Sequence, residues 1–123
     1  MEKYMHKAFI KVPIYDTTLL VILTNSLEGI QEIFPETEDP VYAFVQTASI
    51  KNKGVICLVL DFDSDYKITH GVVAHESLHA SHSILENAGI VADFHNDEAD
   101  AYLTGWITDK VYKVMKKFNK EIK

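Results

Sequence analysis

Thr69-His70-Gly71-Val72-Val73-Ala74-His75-Glu76-Ser77-Leu78-His79 is the stretch on which the reading turns. Thr69 is an N-cap residue type, the segment after it is free of proline, and Gly89 is a stop signal beyond Asn87. The pattern predicts a helix from about residue 70 to 87. On that helix His75 and His79 are spaced i, i+4 and share one face. Two imidazoles side by side suit two ligands of a tetrahedral zinc. Glu76, between them in the H-E-x-x-H pattern, is then placed to act as a base on a water.

The motif needs a third ligand. An H-E-x-x-H-x-x-G-x-x-H continuation is ruled out, because His82 stands at the Gly position and Leu85 at the last His position. A carboxylate from a following helix is the other common solution. Glu98, in Asn96-Asp97-Glu98-Ala99-Asp100-Ala101-Tyr102, is the expected ligand, with Asp97 as its rival. Asp100 is expected either to accept a hydrogen bond from a ligating imidazole, which fixes tautomer and ring orientation, or to be an exposed helix carboxylate. Tyr102, one turn beyond Glu98, is the first candidate donor for a developing oxyanion. His82, His95 and His70 are weaker candidates for that role.

Working outward, the preceding segments read as strands. Residues 8–15 and 17–24 are strand candidates, and 27–34 carries apolar residues at helical spacing with Ser26 or Asn25 as cap. Residues 35–40 form an acidic loop. The strongest strand candidates are 41–50 and 55–62, joined by Lys51-Asn52-Lys53-Gly54, where Asn and Gly can supply positive φ. The run Asp61-Phe62-Asp63-Ser64-Asp65 has the spacing of a calcium loop. Tyr66 and Val72 stand where that loop needs Gly and Glu, so it reads as a solvated turn. After the motif helix, Asp93 or Asn96 is expected to cap a long final helix. Its apolar stripe is Ala99, Leu103, Ile107, Val111, Val114 and Phe118, and Lys110, Lys113, Lys116, Lys117, Lys120 and Lys123 line its solvent face. Trp106 and Ala99 are expected to pack the two helices together. Strands followed by two helices predict an α+β class, a mostly antiparallel sheet packed on the motif helix and the C-terminal helix.

Composition narrows the function classes. A chain of 123 residues with 47% hydrophobic content is expected to form one domain, 1–123, with a proper core. No stretch is apolar for long enough to span a membrane, and residues 1–6 lack a signal-peptide core. Net charge is −6, which argues against nucleic acid as a partner. Cys57 is the sole cysteine, fitting a reducing cytoplasm and a core position. All 12 basic side chains are Lys, so no guanidinium is at hand to clamp a carboxylate or stabilise an oxyanion.

With His75-Glu76-Ser77-Leu78-His79 and Glu98-Ala99-Asp100-Ala101-Tyr102-Leu103 together, the chain resembles the zincin superfamily of metallopeptidases. It looks most like the small ImmA/IrrE type, which pairs H-E-x-x-H with a later E-A-D-x-F-A-like segment, and like zincin-like proteins of phages and prophages. The resemblance covers about residues 70–112. It implies a small zincin-like domain holding Zn²⁺ through His75, His79 and Glu98, with Glu76 as base and a protein or peptide as substrate. It also implies that an edge strand, 55–62 or 41–50, borders the cleft and can hold an extended peptide by strand addition. The helix-turn-helix module that often accompanies this type, and the second lobe of larger relatives, have no counterpart here. The site is then expected to be shallow, or completed by an oligomer or partner. The alternative function is a non-proteolytic zincin-fold binding module, such as a phage-encoded host modifier. A third reading, deformylase-like chemistry with Cys57 as a ligand, lacks the Gly- and Gln-containing segments that such a site needs.

Overall fold

The computed structural model describes residues 2–38, 42–63 and 68–122. The expected strand start at Val41, residues 39–40 of the acidic loop, positions 64–65 of the acidic run with Tyr66 after it, and Lys123 lie outside these residues. Among the described residues seven elements follow in order: β1 (Met5–Val12), β2 (Thr17–Thr24), α1 (Leu27–Ile33), β3 (Ala43–Ile50), β4 (Lys53–Asp61), α2 (His70–Asn87) and α3 (Glu98–Lys117). The class is α+β, a four-stranded mixed sheet followed by two packed helices. The strand order is β1-β2-β4-β3. The β1–β2 and β3–β4 pairs are antiparallel, as expected. The central β2–β4 pair is parallel. That pair arises because the chain leaves β2, crosses through α1 and β3, and returns with β4 beside β2.

Alternation along the two central strands divides the core. Leu19, Val21 and Leu23 of β2 and Ile56, Leu58 and Leu60 of β4 face α2 and α3. Leu20 and Ile22, with Val55, Cys57 and Val59, face the other way and are covered by Ile30 and Phe34 around α1. Both faces are buried, so these strands read as continuous apolar runs rather than alternating ones. Cys57 is fully buried, and burial pushes its thiol up to about 11. The native protein is therefore expected to be unreactive toward a thiol reagent at pH 8 and to react with it on unfolding. Because the folded state keeps a proton that the unfolded thiol releases from about pH 9, stability should fall as pH rises from there toward 11.

Several boundaries differ from the sequence expectation for identifiable reasons. The first strand lies at Met5–Val12 rather than 8–15, because Pro13 opens a tight turn in which Ile14 and Asp16 take positive φ. The β3–β4 hairpin turns on Lys51 and Asn52, both at positive φ. Gly54 instead sits in β4 opposite Ser49. Ser26, not Asn25, caps α1, its Oγ accepting from the Gly29 N–H. Asn25 is used elsewhere: its side chain binds the backbone of Tyr4 and Glu2 and holds the N-terminal segment. Asp97, not Asp93 or Asn96, precedes α3. Asp93 accepts from the His95 N–H and closes a turn within the connecting loop. No helix among the described residues is long and apolar enough to cross a membrane.

Candidate functional site

The motif helix α2 begins and ends on the residues its sequence suggested. Thr69 Oγ1 accepts from the Val72 N–H at 3.1 Å. At the other end Gly89 takes φ 79°, and the Ile90 and Gly89 N–H groups return to the carbonyls of Leu85 and Glu86. Val73, Ala80 and Ile84 are buried against the sheet and α3, which leaves His75 and His79 on the outer face.

Their ring nitrogens converge. His75 Nε2 and His79 Nε2 are 3.1 Å apart, with ring centroids at 4.7 Å and planes inclined by 70°. Two nitrogens on one tetrahedral zinc stand about 3.3 Å apart, from Zn–N bonds of about 2.05 Å. The pair therefore fits two adjacent ligand positions. Glu76 lies 100° round the helix and is sunk below them, its side chain 7% exposed against 66% for His75. Its Oε2 is 4.0 Å from His75 Nε2. Burial raises the Glu76 carboxyl above its ordinary value, and the two imidazoles oppose that rise.

A raised carboxyl favours the folded state below its unfolded value and loses that contribution as pH climbs through the folded one. Ionised Glu76 thus costs stability at neutral and alkaline pH. In chelator at pH 8, Glu76→Gln is expected to be the more stable protein by about 1 kcal/mol. The gap should close toward acid pH. Paired thermal melts at pH 5 and pH 8 check this, and a gap of equal size at both would exclude Glu76 as its source.

The second helix is set against α2 by polar contacts. Asp100 meets Ser81 and His82, and Tyr112 Oη lies 2.6 Å from His70 Nδ1. Each step down α2 is a step back along α3, so His79 stands near the level of Tyr102 and Leu103. Tyr102 is 78% exposed. Glu98 is the first residue of α3 and is exposed, as is Asp97 before it. Among the described residues no group of three or more His, Cys, Asp or Glu side chains that could hold a metal is assembled. Of the expected ligands, then, His75 and His79 are together, and Glu98 is not gathered with them.

Other expectations are corrected. Asp100 does not bond a motif imidazole. Its Oδ2 accepts from His82 Nε2 at 2.6 Å, and its Oδ1 accepts from Ser81 Oγ at 2.6 Å. His82 and His70 are each engaged across the helix pair, and His95 lies in the exposed connecting loop. Ala99 is exposed and packs nothing between the helices. Trp106 does pack against the core, with Lys110 over its ring at 5.2 Å. Met115 joins the buried stripe, and Phe118 caps the helix half-buried. Cys57 faces the α1 side of the sheet, away from α2, which removes it as a ligand. Ser81, fully buried and bonded to Asp100, was not singled out in the sequence. Its signal was a small polar residue on the helix side opposite the exposed histidines.

In comparisons with known proteins, no family model, no curated protein and no solved structure matches this chain. The likeness to zincins therefore rests on the motif residues themselves.

Proposed function

We propose that this chain is a zinc-dependent hydrolase, a small metallopeptidase of zincin type acting on a protein or peptide. The observation that supports it is the approach of His75 Nε2 and His79 Nε2 to 3.1 Å above a buried Glu76. A sheet, then the motif helix, then a following helix is the element order that the resemblance to zincins implies, and it supports this reading. In this reading His75 and His79 hold the metal, and Glu98, from the first turn of α3, supplies the third ligand. Asp97 is its alternative. Zinc, when bound, polarises a scissile carbonyl and makes water acidic enough to ionise near neutral pH. Glu76 takes the proton of the attacking water and returns it to the leaving amine. Tyr102 donates a hydrogen bond to the oxygen on which charge develops.

The sheet offers one strand for substrate on this side. Among the described residues β4 is paired on both edges and is unavailable, whereas β3 is an outer strand of the sheet and packs against α2. An extended peptide laid along β3 would add main-chain hydrogen bonds at the sheet edge that neighbours the motif helix.

A second reading is a zincin-fold binding module without proteolysis. Val91 and Phe94 in the α2–α3 loop are exposed, Phe94 at 99%, close in sequence to the exposed Tyr102. Large apolar side chains so displayed favour a protein partner. The separating test is incubation of the zinc-loaded protein with unfolded casein and a mixed peptide pool, followed by mass spectrometry. Chelator-sensitive cleavage supports the hydrolase. Intact substrates with zinc still bound support the binding module.

A further inference from the structure

The first turn of α3 carries the proposed third ligand, yet little in its own sequence holds it in place. Asp97 precedes the helix without a side-chain cap hydrogen bond. Glu98, Ala99, Ala101 and Tyr102 are all exposed, and the buried stripe begins only at Leu103. An uncapped, solvated helix start has unpaired N–H groups and frays at low cost.

Asp100 is the exception in that turn. Its carboxylate is 21% exposed and grips α2 with both oxygens. Oδ1 accepts from Ser81 Oγ at 2.6 Å and from Thr104 Oγ1 at 3.4 Å, while Oδ2 accepts from His82 Nε2 at 2.6 Å. Ser81 Oγ also reaches the Asp100 carbonyl at 3.3 Å. Ser81 is fully buried, and it and His82 lie in the turn of α2 that follows His79. Among the described residues these are the side-chain hydrogen bonds that tie the first turn of α3 to the motif helix.

We propose that Asp100 is a positioning residue for the metal site: by clamping Ser81 and His82 it holds the turn bearing Glu98 against the motif helix. This rests on the metallopeptidase reading, and it assigns Asp100 no contact with metal or substrate. Preorganising a ligand-bearing turn removes an ordering cost from each binding event. Losing an outer partner of a metal site lowers affinity by about 10-fold to 100-fold. A carboxylate that served only the helix interface would change stability and leave affinity alone.

The test is zinc affinity, measured by competition with a chromophoric chelator, together with melting temperature in excess chelator. The proteins are the wild type, Asp100→Ala, Asp100→Asn, Glu98→Ala and Ile22→Val. Ile22 is buried on the α1 face and serves as the control for lowered stability alone. Asp100→Ala is expected to weaken zinc binding about tenfold. Asp100→Asn should recover most of that loss, because an amide can still accept from Ser81 and bond His82. Ile22→Val should lower the melting temperature and leave affinity unchanged. If Asp100→Ala fails to fold, Ser81→Ala removes one of the short bonds, and a loss smaller than the roughly tenfold expected of Asp100→Ala but outside the roughly twofold limit is expected. Affinity within twofold of wild type in Asp100→Ala, with Glu98→Ala impaired, overturns the positioning role and leaves the metal reading standing. A wild type that binds no zinc, or a Glu98→Ala protein that binds it normally, overturns the three-ligand reading itself, and the positioning role falls with it.

Discussion

Glu76→Gln is expected to lower the rate of peptide cleavage by roughly 10²–10⁴-fold while zinc stays bound. The side chain keeps its shape and its buried position beside His75. What it loses is the basic oxygen. Glutamine cannot take a proton from water or hand one to a leaving amine, so the loss falls on the chemical step. The substitution leaves His75 and His79 untouched, and zinc affinity should stay within about threefold. The same variant is expected to be the more stable protein in chelator at alkaline pH, because a buried carboxylate has been removed. Lost activity with higher stability and retained zinc is a pattern that misfolding does not produce. Full cleavage by Glu76→Gln would remove Glu76 as the base.

The second large effect is expected from the imidazole pair. Zinc binds the folded chain, so it should raise the melting temperature of the wild type with the logarithm of the free metal once that exceeds the dissociation constant. At free zinc a hundredfold above its dissociation constant the gain is about 2.7 kcal/mol, or roughly 10 °C for a chain of this size. His75→Ala or His79→Ala should abolish that gain. In chelator either variant should melt close to the wild type, since both side chains are exposed and pack nothing in the core. Thermal melts with and without zinc check this. A zinc-dependent gain that survives in both variants would place the metal elsewhere.

Much of this architecture was legible because its signals are local. The limits of β2 and α2, the Thr69 cap and the Gly89 stop depend on residues adjacent in the chain, and the structure has them where the sequence put them. In the β3–β4 turn Asn52 takes the positive φ expected of it, but its partner is Lys51 and not Gly54, since several residue types tolerate positive φ and only pairing register decides among them. The parallel β2–β4 pair was not legible. Both strands are buried on two faces, and a continuous apolar run carries no information about strand direction.

At the candidate site the i, i+4 spacing fixed the meeting of His75 and His79. Contacts between helices were beyond its reach. That Asp100 bonds Ser81 and His82 follows from the relative shift of two helices, which is set by how Leu103, Ile107 and Val111 pack and not by local spacing. The same limit separates Glu98 as a sequence expectation from Glu98 as an assembled ligand.

The measurement that bears most directly on the account is native mass spectrometry of the protein after zinc loading and removal of free metal, for the wild type and Glu98→Ala. The account predicts about one zinc per wild-type chain and a clear loss in the variant. A wild-type chain that carries no metal after loading would contradict it, and the protein would then be understood as a binding module.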